Sequence, residues 1–430
     1  MCSRDRLEQS LSRIADPKGE GSRACLTLYD VAARNAADAA DARAKAGISL
    51  GPLDGVIFTI KDLFDVAGEV TRAGSKVLAD EGKPAKADAP IVRRLRAAGA
   101  VIVAKTNMTE FAFSALGLNP HFGTPGNPAD RARVPGGSSC GAAVAIADGM
   151  CQIGIGSDTG GSTRIPATLC GITGWKPSKQ RVPTDGAFPL SFTLDSVGPM
   201  AKSVADCAFA DAVIAGDTPA TIVPFAIRGM RLGIASGFPI EKLDETTAAR
   251  WKSALAVLEK AGARVSEEKI GLLDEMAQII GRLWLPQPEA LSIHRDRIAR
   301  RGADLDQMVR TRIERASTMT AAEYVSVIQE RLRLVRAMHE RLDGLDALIM
   351  PTTPIVAPLV SEVQSPEGYA TNNLALLRNT AIGNFFDLCA ISLPLPREGG
   401  LPVGLMMLGR NGDDRRLFSA AAAVEALFRS

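Results

Sequence analysis

Two glycine-rich clusters that contain serine lie a short distance apart in this chain, and their residue types could carry chemistry. The first is Gly136-Gly137-Ser138-Ser139, and the second runs from Gly156 to Arg164 with the sequence GSDTGGSTR. Glycine permits positive φ angles, so backbone N–H groups can turn inward beside a serine hydroxyl. Such donors stabilise the oxyanion that forms when a hydroxyl attacks a carbonyl carbon. The clusters therefore predict acyl transfer.

A serine hydroxyl becomes a good nucleophile only when a base accepts its proton, and histidine is the first candidate to consider. The chain has three histidines. His121 lies in a loop rich in proline and glycine, whereas His294 and His339 lie among arginines in segments with a helical pattern. We expect all three to be surface or loop imidazoles, so the sequence indicates a base of another type.

Lys61 is a candidate for that base because it follows the apolar run Val56–Ile60, which predicts a buried strand. Burial lowers the pKa of a lysine from about 10.4 toward the range in which a neutral amine can accept a proton. On the local sequence alone, a lysine that reaches solvent from the end of the strand is the alternative. The assignment of Lys61 therefore depends on its neighbours.

Taken together, the two serine clusters and the upstream pair Lys61-Asp62 resemble the amidase signature family. Matching stretches continue along the chain, and they are Lys105–Phe111, Cys170–Pro177, Asp195–Met200, Pro351–Pro354 and Gly400–Leu405. The resemblance extends from about residue 25 to the C-terminus. It includes both bacterial amidases of small amides and the glutaminase component of glutamyl-tRNA amidotransferase.

The resemblance implies a catalytic triad of Ser162, Ser138 and Lys61. Ser162 would be the nucleophile, Ser138 would relay its proton, and Lys61 would be the base. An acyl-enzyme would form on Ser162, with no metal and no cofactor, and the peptide bond between Gly137 and Ser138 would be cis. The backbone N–H groups that would hold the oxyanion are those of Thr159, Gly160, Gly161 and Ser162.

The resemblance also assigns supporting roles around the triad. Asp158 and Arg164 would support the nucleophile loop through hydrogen bonds and an ion pair, although an inward-turned Arg164 could bind a substrate carboxylate. Ser139 would orient Lys61 by a hydrogen bond. The residues that would line the acyl pocket are Ala112 and Phe113.

Two positions depart from the family pattern. Cys140 stands where relatives usually have a third glycine, and Ile57 stands where they commonly have proline. We expect Cys140 to be a small buried hydrophobic residue, with a thiol close to the pocket as the alternative.

A rival motif, G-x-S-x-G, occurs at residues 137–141 and would make Ser139 the nucleophile of an α/β-hydrolase. That motif requires a strand directly before it. The preceding segment, Arg131–Pro135, does not predict a buried strand, so we interpret the match as chance.

The composition agrees with a folded enzyme and excludes several other classes of protein. With 46% hydrophobic residues, 23% charged residues and a net charge of +2, the chain can bury a large core and has no basic excess for nucleic acid. Seven scattered cysteines without a C-x-x-C motif are typical of reduced thiols. No apolar run approaches the roughly 20 residues of a membrane span. We expect a cytoplasmic protein that binds neither membrane nor nucleic acid.

Helical and strand patterns alternate along the chain and predict an α/β fold. Helices are expected at about residues 27–46, 88–98 and 245–261, and strands at 101–104, 232–235 and 263–265. Such units indicate a mixed, mostly parallel central sheet, and the resemblance implies about eleven strands between helical layers. We expect a single amidase domain over residues 1–430, with a mostly helical specificity region at about 240–345.

The arginines of that helical region are expected to form a solvated helix face. The alternative is that one or two of them recognise an acidic group of the substrate or a partner protein. Because only 5% of the residues are aromatic, we expect aliphatic pocket walls and a small substrate.

The sequence is compatible with three functions. The first is a stand-alone amidohydrolase that cleaves a small carboxamide or urea-like amide to an acid and ammonia. The second is the glutaminase component of a glutamyl-tRNA amidotransferase, which would require partner subunits. The third, a non-catalytic binding protein on the same fold, is disfavoured because Lys61, Ser138 and Ser162 are all present. The sequence leaves open the identity of the amide and whether the protein is a homodimer.

Overall fold

The computed structural model describes residues 2–396 and 399–429. Within these residues, one mixed sheet of eleven strands forms the centre of the fold. Its eleven strands are β1 (Cys25–Leu28), β2 (Ile57–Lys61), β3 (Val101–Thr106), β4 (Ile153–Asp158), β5 (Thr173–Lys176), β6 (Ser196–Ala201), β7 (Arg231–Ser236), β8 (Arg264–Lys269), β9 (Ala347–Pro351), β10 (Cys389–Pro394) and β11 (Gly404–Gly409). The spatial order is β1-β3-β2-β4-β6-β5-β10-β11-β9-β7-β8.

Helices occupy most of the remaining chain. Within the described residues they are α1 (Ser3–Ala15), α2 (Gly21–Ala24), α3 (Asp30–Lys45), α4 (Lys76–Glu81), α5 (Pro90–Ala97), α6 (Cys140–Ala147), α7 (Arg164–Cys170), α8 (Val204–Ala215), α9 (Glu245–Lys260), α10 (Gly271–Arg282), α11 (Pro286–Arg301), α12 (Gln307–Glu314), α13 (Ala321–Arg341), α14 (Pro366–Phe385) and α15 (Asp414–Arg429). Short 3₁₀ turns cover Glu110–Ala112, Gly302–Asp304 and Val360–Val363.

The two faces of the sheet pack against different helices. In β2, Phe58 and Ile60 contribute to a core cluster that includes residues of α5 and α8, whereas Ile57 packs in another cluster with α3 and α6. This alternation follows from the period of two along a strand. The expected α/β fold, with a mixed sheet of about eleven strands between helical layers, is confirmed.

Parallel pairing is less extensive than the alternation of helices and strands predicts. The parallel pairs are β2–β3, β2–β4, β7–β8 and β7–β9, and the pairs in the middle of the sheet, from β4 to β9, are antiparallel. Parallel neighbours need a crossover connection, usually a helix, whereas antiparallel neighbours can follow each other directly. Strands β5 and β6, and strands β10 and β11, are consecutive antiparallel neighbours of this kind.

Most expected elements form within a few residues of their predicted ends. Helices α5 and α9 and strands β3, β7 and β8 lie where the patterns placed them, and residues 271–341 are almost wholly helical. One boundary is wrong: the helix expected from residue 27 begins at Asp30, because Cys25–Leu28 pairs with β3 as an edge strand. This pairing is a tertiary contact that local periodicity does not report.

All seven cysteines are free, and six of them are buried. Among the described residues, no helix combines the length and apolar character that crossing a bilayer requires.

Candidate active site

Lys61 lies at the C-terminal end of β2, and its side chain is completely buried. The amine contacts two hydroxyls, with Nζ 2.7 Å from Ser138 Oγ and 2.9 Å from Ser157 Oγ. Burial lowers the pKa of Lys61 to about 7, because desolvation disfavours the ammonium form. The amine therefore changes its protonation state near neutral pH.

Ser138 is held by the segment that precedes α6. Its backbone carbonyl accepts a hydrogen bond from the Thr109 N–H at 3.1 Å, and the Gly137 N–H donates to the Ala115 carbonyl at 2.6 Å. The peptide bond between Gly137 and Ser138 is cis, as expected. These contacts hold the Ser138 hydroxyl beside the amine of Lys61.

Gly156 in β4 allows the Ser138-Ser139 segment to approach the sheet closely. A Cβ atom at Gly156 would lie 2.7 Å from Ser139 Oγ and 3.0 Å from Ser139 Cβ. Any side chain at residue 156 would therefore push the Ser138-Ser139 segment away from the strand. The glycine of the second cluster thus positions the serines of the first.

The expected hydrogen bond between Ser139 and Lys61 is not formed. Ser139 Oγ instead donates to the Ser157 backbone carbonyl at 3.4 Å. Besides Ser138, the residue that contacts the Lys61 amine is Ser157, which the sequence did not identify. Because β2 and β4 are parallel neighbours, with Ile60 opposite Ile155, the ends of both strands meet and bring Ser157 to Lys61. The signal for Ser157 was its place in the second glycine cluster.

Ser162 lies in the loop between β4 and α7 and is 5% exposed. Gly161 has a φ of +141°, and a Cβ there would lie 2.2 Å from Thr380 Oγ1, so the loop requires glycine at this position. In the described structure no hydrogen bond joins the hydroxyls of Ser138 and Ser162. The loop therefore presents Ser162 without a partner for its side chain.

The backbone of this loop offers free donors. Among the described residues, no acceptor is paired with the N–H groups of Thr159, Gly160, Gly161 and Ser162. The next residue is different, because the Thr163 N–H and hydroxyl both donate to Asp158 Oδ2, at 3.1 and 2.9 Å. Unpaired N–H groups next to a serine hydroxyl are the arrangement that an oxyanion requires.

Asp158 and Arg164 form a completely buried ion pair at the two ends of the loop. Arg164 Nε donates to Asp158 Oδ2 at 3.0 Å, and Nη2 donates to Oδ1 at 2.9 Å. Asn384 binds both members, donating to Asp158 Oδ1 at 2.9 Å and accepting from Arg164 at 2.7 Å. Arg164 and the other donors hold the pKa of Asp158 well below its usual range despite burial. The guanidinium is engaged with these partners and is not turned toward a substrate.

A small cavity of about 110 Å³ lies beside the loop. Its lining includes Ala112, Ser157 and Thr159 together with Phe188 and Phe192, whereas Phe113 and Ser162 lie outside the lining. The apolar lining is mostly aliphatic, as expected, and the loop that precedes β6 adds two aromatic rings. Composition does not reveal which of the few aromatic residues reach the cavity.

Comparison with known proteins identifies the family. The family model described as Amidase matches residues 5–418. The chain belongs to the amidase family. It is 35% identical over 402 residues to 2-amino-5-chloromuconic acid deaminase of Comamonas testosteroni, a match that covers 92% of this chain and 86% of the relative.

Two further similarities agree with this assignment. The chain is 34% identical over 440 residues to the A-type subunit of glutamyl-tRNA(Gln) amidotransferase from Chloroflexus aurantiacus, covering 94% of this chain and 89% of that one. A crystal structure of an amidase superposes with a TM-score of 0.88 at 31% identity, covering 100% and 96% of the two chains. This member of the amidase family is a hydrolase that acts on C–N amide bonds.

Among the described residues, no histidine forms a hydrogen bond with Lys61 or Ser138. One of the three histidines is nevertheless buried and not at the surface. His294 is completely buried, and its ring stacks on Phe111 with centroids 3.9 Å apart. Burial lowers the pKa of His294 to about 3. His121 faces Glu110 at 3.2 Å. The expectation of surface or loop imidazoles is therefore wrong for His294, because α11 turns this residue toward the core.

Cys140, where relatives usually have glycine, is completely buried at the start of α6. Its Sγ lies 3.7 Å from the Asn107 carbonyl, and burial raises the pKa of its thiol to about 12. The residue is small and buried, as the sequence predicts, and its thiol is also close enough to Lys61 for each group to affect the pKa of the other.

Proposed function

We propose that this amidase hydrolyses a small amide through an acyl-enzyme on Ser162, with Ser138 as the proton relay and Lys61 as the base. The observation that carries the proposal is the completely buried amine of Lys61, 2.7 Å from Ser138 Oγ, with its pKa lowered to about 7. A neutral amine in hydrogen-bond contact with a serine can do the work for which other hydrolases use imidazole.

In the acylation step, Ser162 Oγ forms a bond to the amide carbonyl carbon and loses its proton to Ser138 Oγ. Ser138 in turn passes its own proton to Lys61 Nζ. A rotation of the Ser162 side chain on substrate binding brings its hydroxyl to Ser138, since catalytic hydrogen bonds often form only in the bound state. The carbonyl oxygen becomes an oxyanion, and the unpaired N–H groups of Thr159, Gly160, Gly161 and Ser162 stabilise it.

The relay then runs in the opposite direction. Lys61 returns the proton through Ser138 to the leaving nitrogen, the C–N bond breaks, and ammonia departs. A water molecule attacks the ester on Ser162 by the same relay, which releases the acid and restores the free hydroxyl. Each proton removed from a nucleophile is delivered to a leaving group, so the cycle requires no further reactant.

The substrate class follows from the cavity beside the loop. A volume of about 110 Å³ with largely apolar walls suits a small acyl group. The relative from Comamonas testosteroni is named 2-amino-5-chloromuconic acid deaminase, and deamination of a small acid agrees with release of ammonia from a small molecule. A cytoplasmic location, which the seven free cysteines support, is part of the proposal.

Active-site labelling tests the proposal directly. A fluorophosphonate probe should label the protein at Ser162, and Ser162→Ala should abolish both labelling and ammonia release from small amides. Ser203→Ala is a matched control, because Ser203 caps α8 away from the site. Unchanged labelling of the Ser162→Ala protein would show that another residue is the nucleophile.

A second function is kept because the chain also resembles the A-type subunit of glutamyl-tRNA(Gln) amidotransferase over 94% of its length. In that case the protein would release ammonia from glutamine for a partner protein. Purification from the native host separates the alternatives. A stand-alone amidase is active as the isolated chain, whereas an amidotransferase component co-purifies with partners and gains glutaminase activity in their presence.

A further inference from the structure

Residues 184–197, which we call the cavity segment, supply most of the lining of the cavity beside the nucleophile loop. Leu190 and Phe192 belong to this lining, whereas Ser191 and Thr193 do not. Phe192 is 66% exposed, so it lies where the cavity opens to solvent. The side chains of the cavity segment therefore point to two sides, and the contacts on the outer side determine where the cavity wall stands.

Glu289, in α11, holds the outer side of the cavity segment. Its carboxylate accepts hydrogen bonds from Ser191 Oγ at 2.5 Å, from the Thr193 N–H at 3.1 Å and from Thr193 Oγ1 at 2.5 Å. Tyr324 Oη in α13 donates to the same carboxylate at 2.8 Å. Glu289 is 2% exposed, and four donors match the acceptor positions of a carboxylate. The group is thus fully engaged in joining the cavity segment to the helical region.

The end of the cavity segment contacts the nucleophile loop. Asp195 Oδ1 accepts from Thr159 Oγ1 at 2.5 Å, and Asp195 Oδ2 accepts from the N–H groups of Leu190 and Ser191 at 2.9 and 3.0 Å. Thr159 carries one of the free N–H groups proposed to hold the oxyanion. A continuous series of hydrogen bonds therefore leads from Glu289 through the cavity segment to the nucleophile loop.

The beginning of the cavity segment is held independently of Glu289. The Phe188 N–H donates to the Leu63 carbonyl at 2.8 Å, and the Asp65 N–H donates to the Gly186 carbonyl at 2.7 Å. These backbone contacts fix the start of the segment to the chain that follows β2. Removing the carboxylate of Glu289 should therefore move only the later part of the segment.

Two other contacts limit how far that later part can move. Leu194 is buried in a core cluster with residues of α10 and α13, and Lys179 Nζ donates to the Phe192 carbonyl at 3.2 Å. Loss of the Glu289 contacts should therefore shift the cavity wall without detaching the segment. The effect is expected on the fit of the substrate more than on folding.

We propose that Glu289 is a positioning residue that sets the length of the acyl group this amidase accepts, by holding the cavity segment in place. The inference rests on the proposed function, because it concerns the substrate of that same site. A fixed wall gives a short acyl group close contacts in the cavity of about 110 Å³ and leaves no room for a longer one. The helical region thus acts on specificity through one buried carboxylate.

Two unbranched amides of different length, butanamide and hexanamide, test the proposal. Glu289→Met keeps the length of the side chain and offers only a weak acceptor. We expect it to lower the ratio of kcat/KM for butanamide to kcat/KM for hexanamide by at least about fourfold, the value of one buried methylene group. A purely structural defect would lower both values equally. An unchanged ratio in folded Glu289→Met protein would overturn the proposal.

Two further variants separate the contacts from the charge. Glu289→Gln should retain most of the wild-type ratio, because the carbamoyl oxygen can accept from Ser191 and the Thr193 N–H while the amide nitrogen donates to the two other hydroxyls. Thr193→Val removes one contact and keeps the carboxylate, so it should shift the ratio in the same direction as Glu289→Met but by less. If Glu289→Met does not fold, an unchanged ratio in Thr193→Val would refute the proposal.

Asp41→Asn is the matched control. Asp41, in α3, also holds a chain segment, since its carboxylate accepts from the N–H groups of Ser3 and Arg4 at 2.7 and 2.9 Å. The described lining of the cavity includes no residue of α1 or α3. The ratio of the two kcat/KM values should therefore stay at its wild-type value in this variant.

Two measurements without turnover keep this inference separate from the proposed function. Amide hydrogen exchange of peptides from residues 184–197 should be faster in Glu289→Met, because the Thr193 N–H loses its acceptor, and unchanged in Asp41→Asn. If the wild-type protein cleaved neither amide, calorimetric titration would still test the inference, since Glu289→Met should lower the preference in Kd for butanamide over hexanamide. Cleavage of both amides, with exchange and the ratio unaffected by Glu289→Met, would refute the inference and leave the amidase mechanism intact.

Discussion

At the scale of single residues, the environment of one amine governs the chemistry proposed for this site. Lys61 has no carboxylate within hydrogen-bond distance in the described structure, and its contacts are the hydroxyls of Ser138 and Ser157. An ion pair there would favour the charged form and remove its capacity to act as a base. Hydroxyl partners position the amine without supplying a counter-charge, which is why burial can bring its pKa to about 7.

Activity should therefore rise with pH through the pKa of Lys61. The protonated amine cannot accept a proton, so the active fraction is about one tenth at pH 6 and about nine tenths at pH 8 for a pKa near 7. We expect kcat/KM to increase about tenfold between these values and then to level off. The measurement is a pH–rate profile with a neutral amide. A flat profile from pH 5.5 to 8.5 would exclude Lys61 as the base, and Lys61→Arg should be inactive throughout because arginine stays protonated.

Ser157 should act as a positioning residue for the same amine. Ser157→Ala removes the 2.9 Å contact to Lys61 Nζ and leaves the Ser138 contact in place. We expect kcat to fall about 5- to 20-fold, the effect of losing one buried hydrogen bond, with little change in KM. Ser157→Thr should recover part of the rate. Ser139→Ala is the comparison, since Ser139 reaches the backbone of Ser157 and not the amine. A larger loss in Ser139→Ala than in Ser157→Ala would contradict this role.

At the scale of elements, the sequence predicts the parts of the site that depend on local pattern. The apolar run before Lys61 predicts β2, and the glycine clusters predict loops that hold a serine beside free N–H groups. Contacts made across the sheet escape such reasoning. Ser157 meets Lys61 because β4 pairs with β2, and His294 is buried because α11 packs against Phe111. Both contacts depend on which elements become neighbours, and the glycine cluster that contains Ser157 does not show by itself that Ser157 reaches Lys61.

The connection from β4 to α7 should depend strongly on the buried ion pair of Asp158 and Arg164. Arg164→Met leaves the Asp158 carboxylate buried without its cation, and breaking such a pair typically costs about 3–5 kcal/mol of unfolding free energy. Equilibrium urea denaturation measures this loss. Arg164→Lys should lose less, because it keeps the charge and gives up the two-point contact. Arg295→Met, at a side chain that is 79% exposed, should be close to neutral. Similar losses at both arginines would refute a special contribution of the pair.

At the scale of the whole molecule, segments far apart in sequence complete one sheet and one site. Strands β10 and β11 lie in the middle of the sheet although they come from the last tenth of the chain. Helix α14 holds the nucleophile loop through Thr380 and Asn384. We therefore propose that residues 1–430 form one domain, and that the mostly helical region at about 240–345 determines specificity within it.

Unfolding should consequently be a single cooperative transition. Because β11 pairs with both β10 and β9, separating the two ends of the sheet would expose the central strands that connect them. Scanning calorimetry should show one peak, and loss of near-ultraviolet circular dichroism should coincide with loss of ammonia-releasing activity on heating. Phosphonylation of Ser162 by a fluorophosphonate should move the whole peak to higher temperature and not split it, since the loop contacts α14 as well as β4. Two resolved peaks, of which only one moved with phosphonylation, would show that the helical region folds as a separate unit.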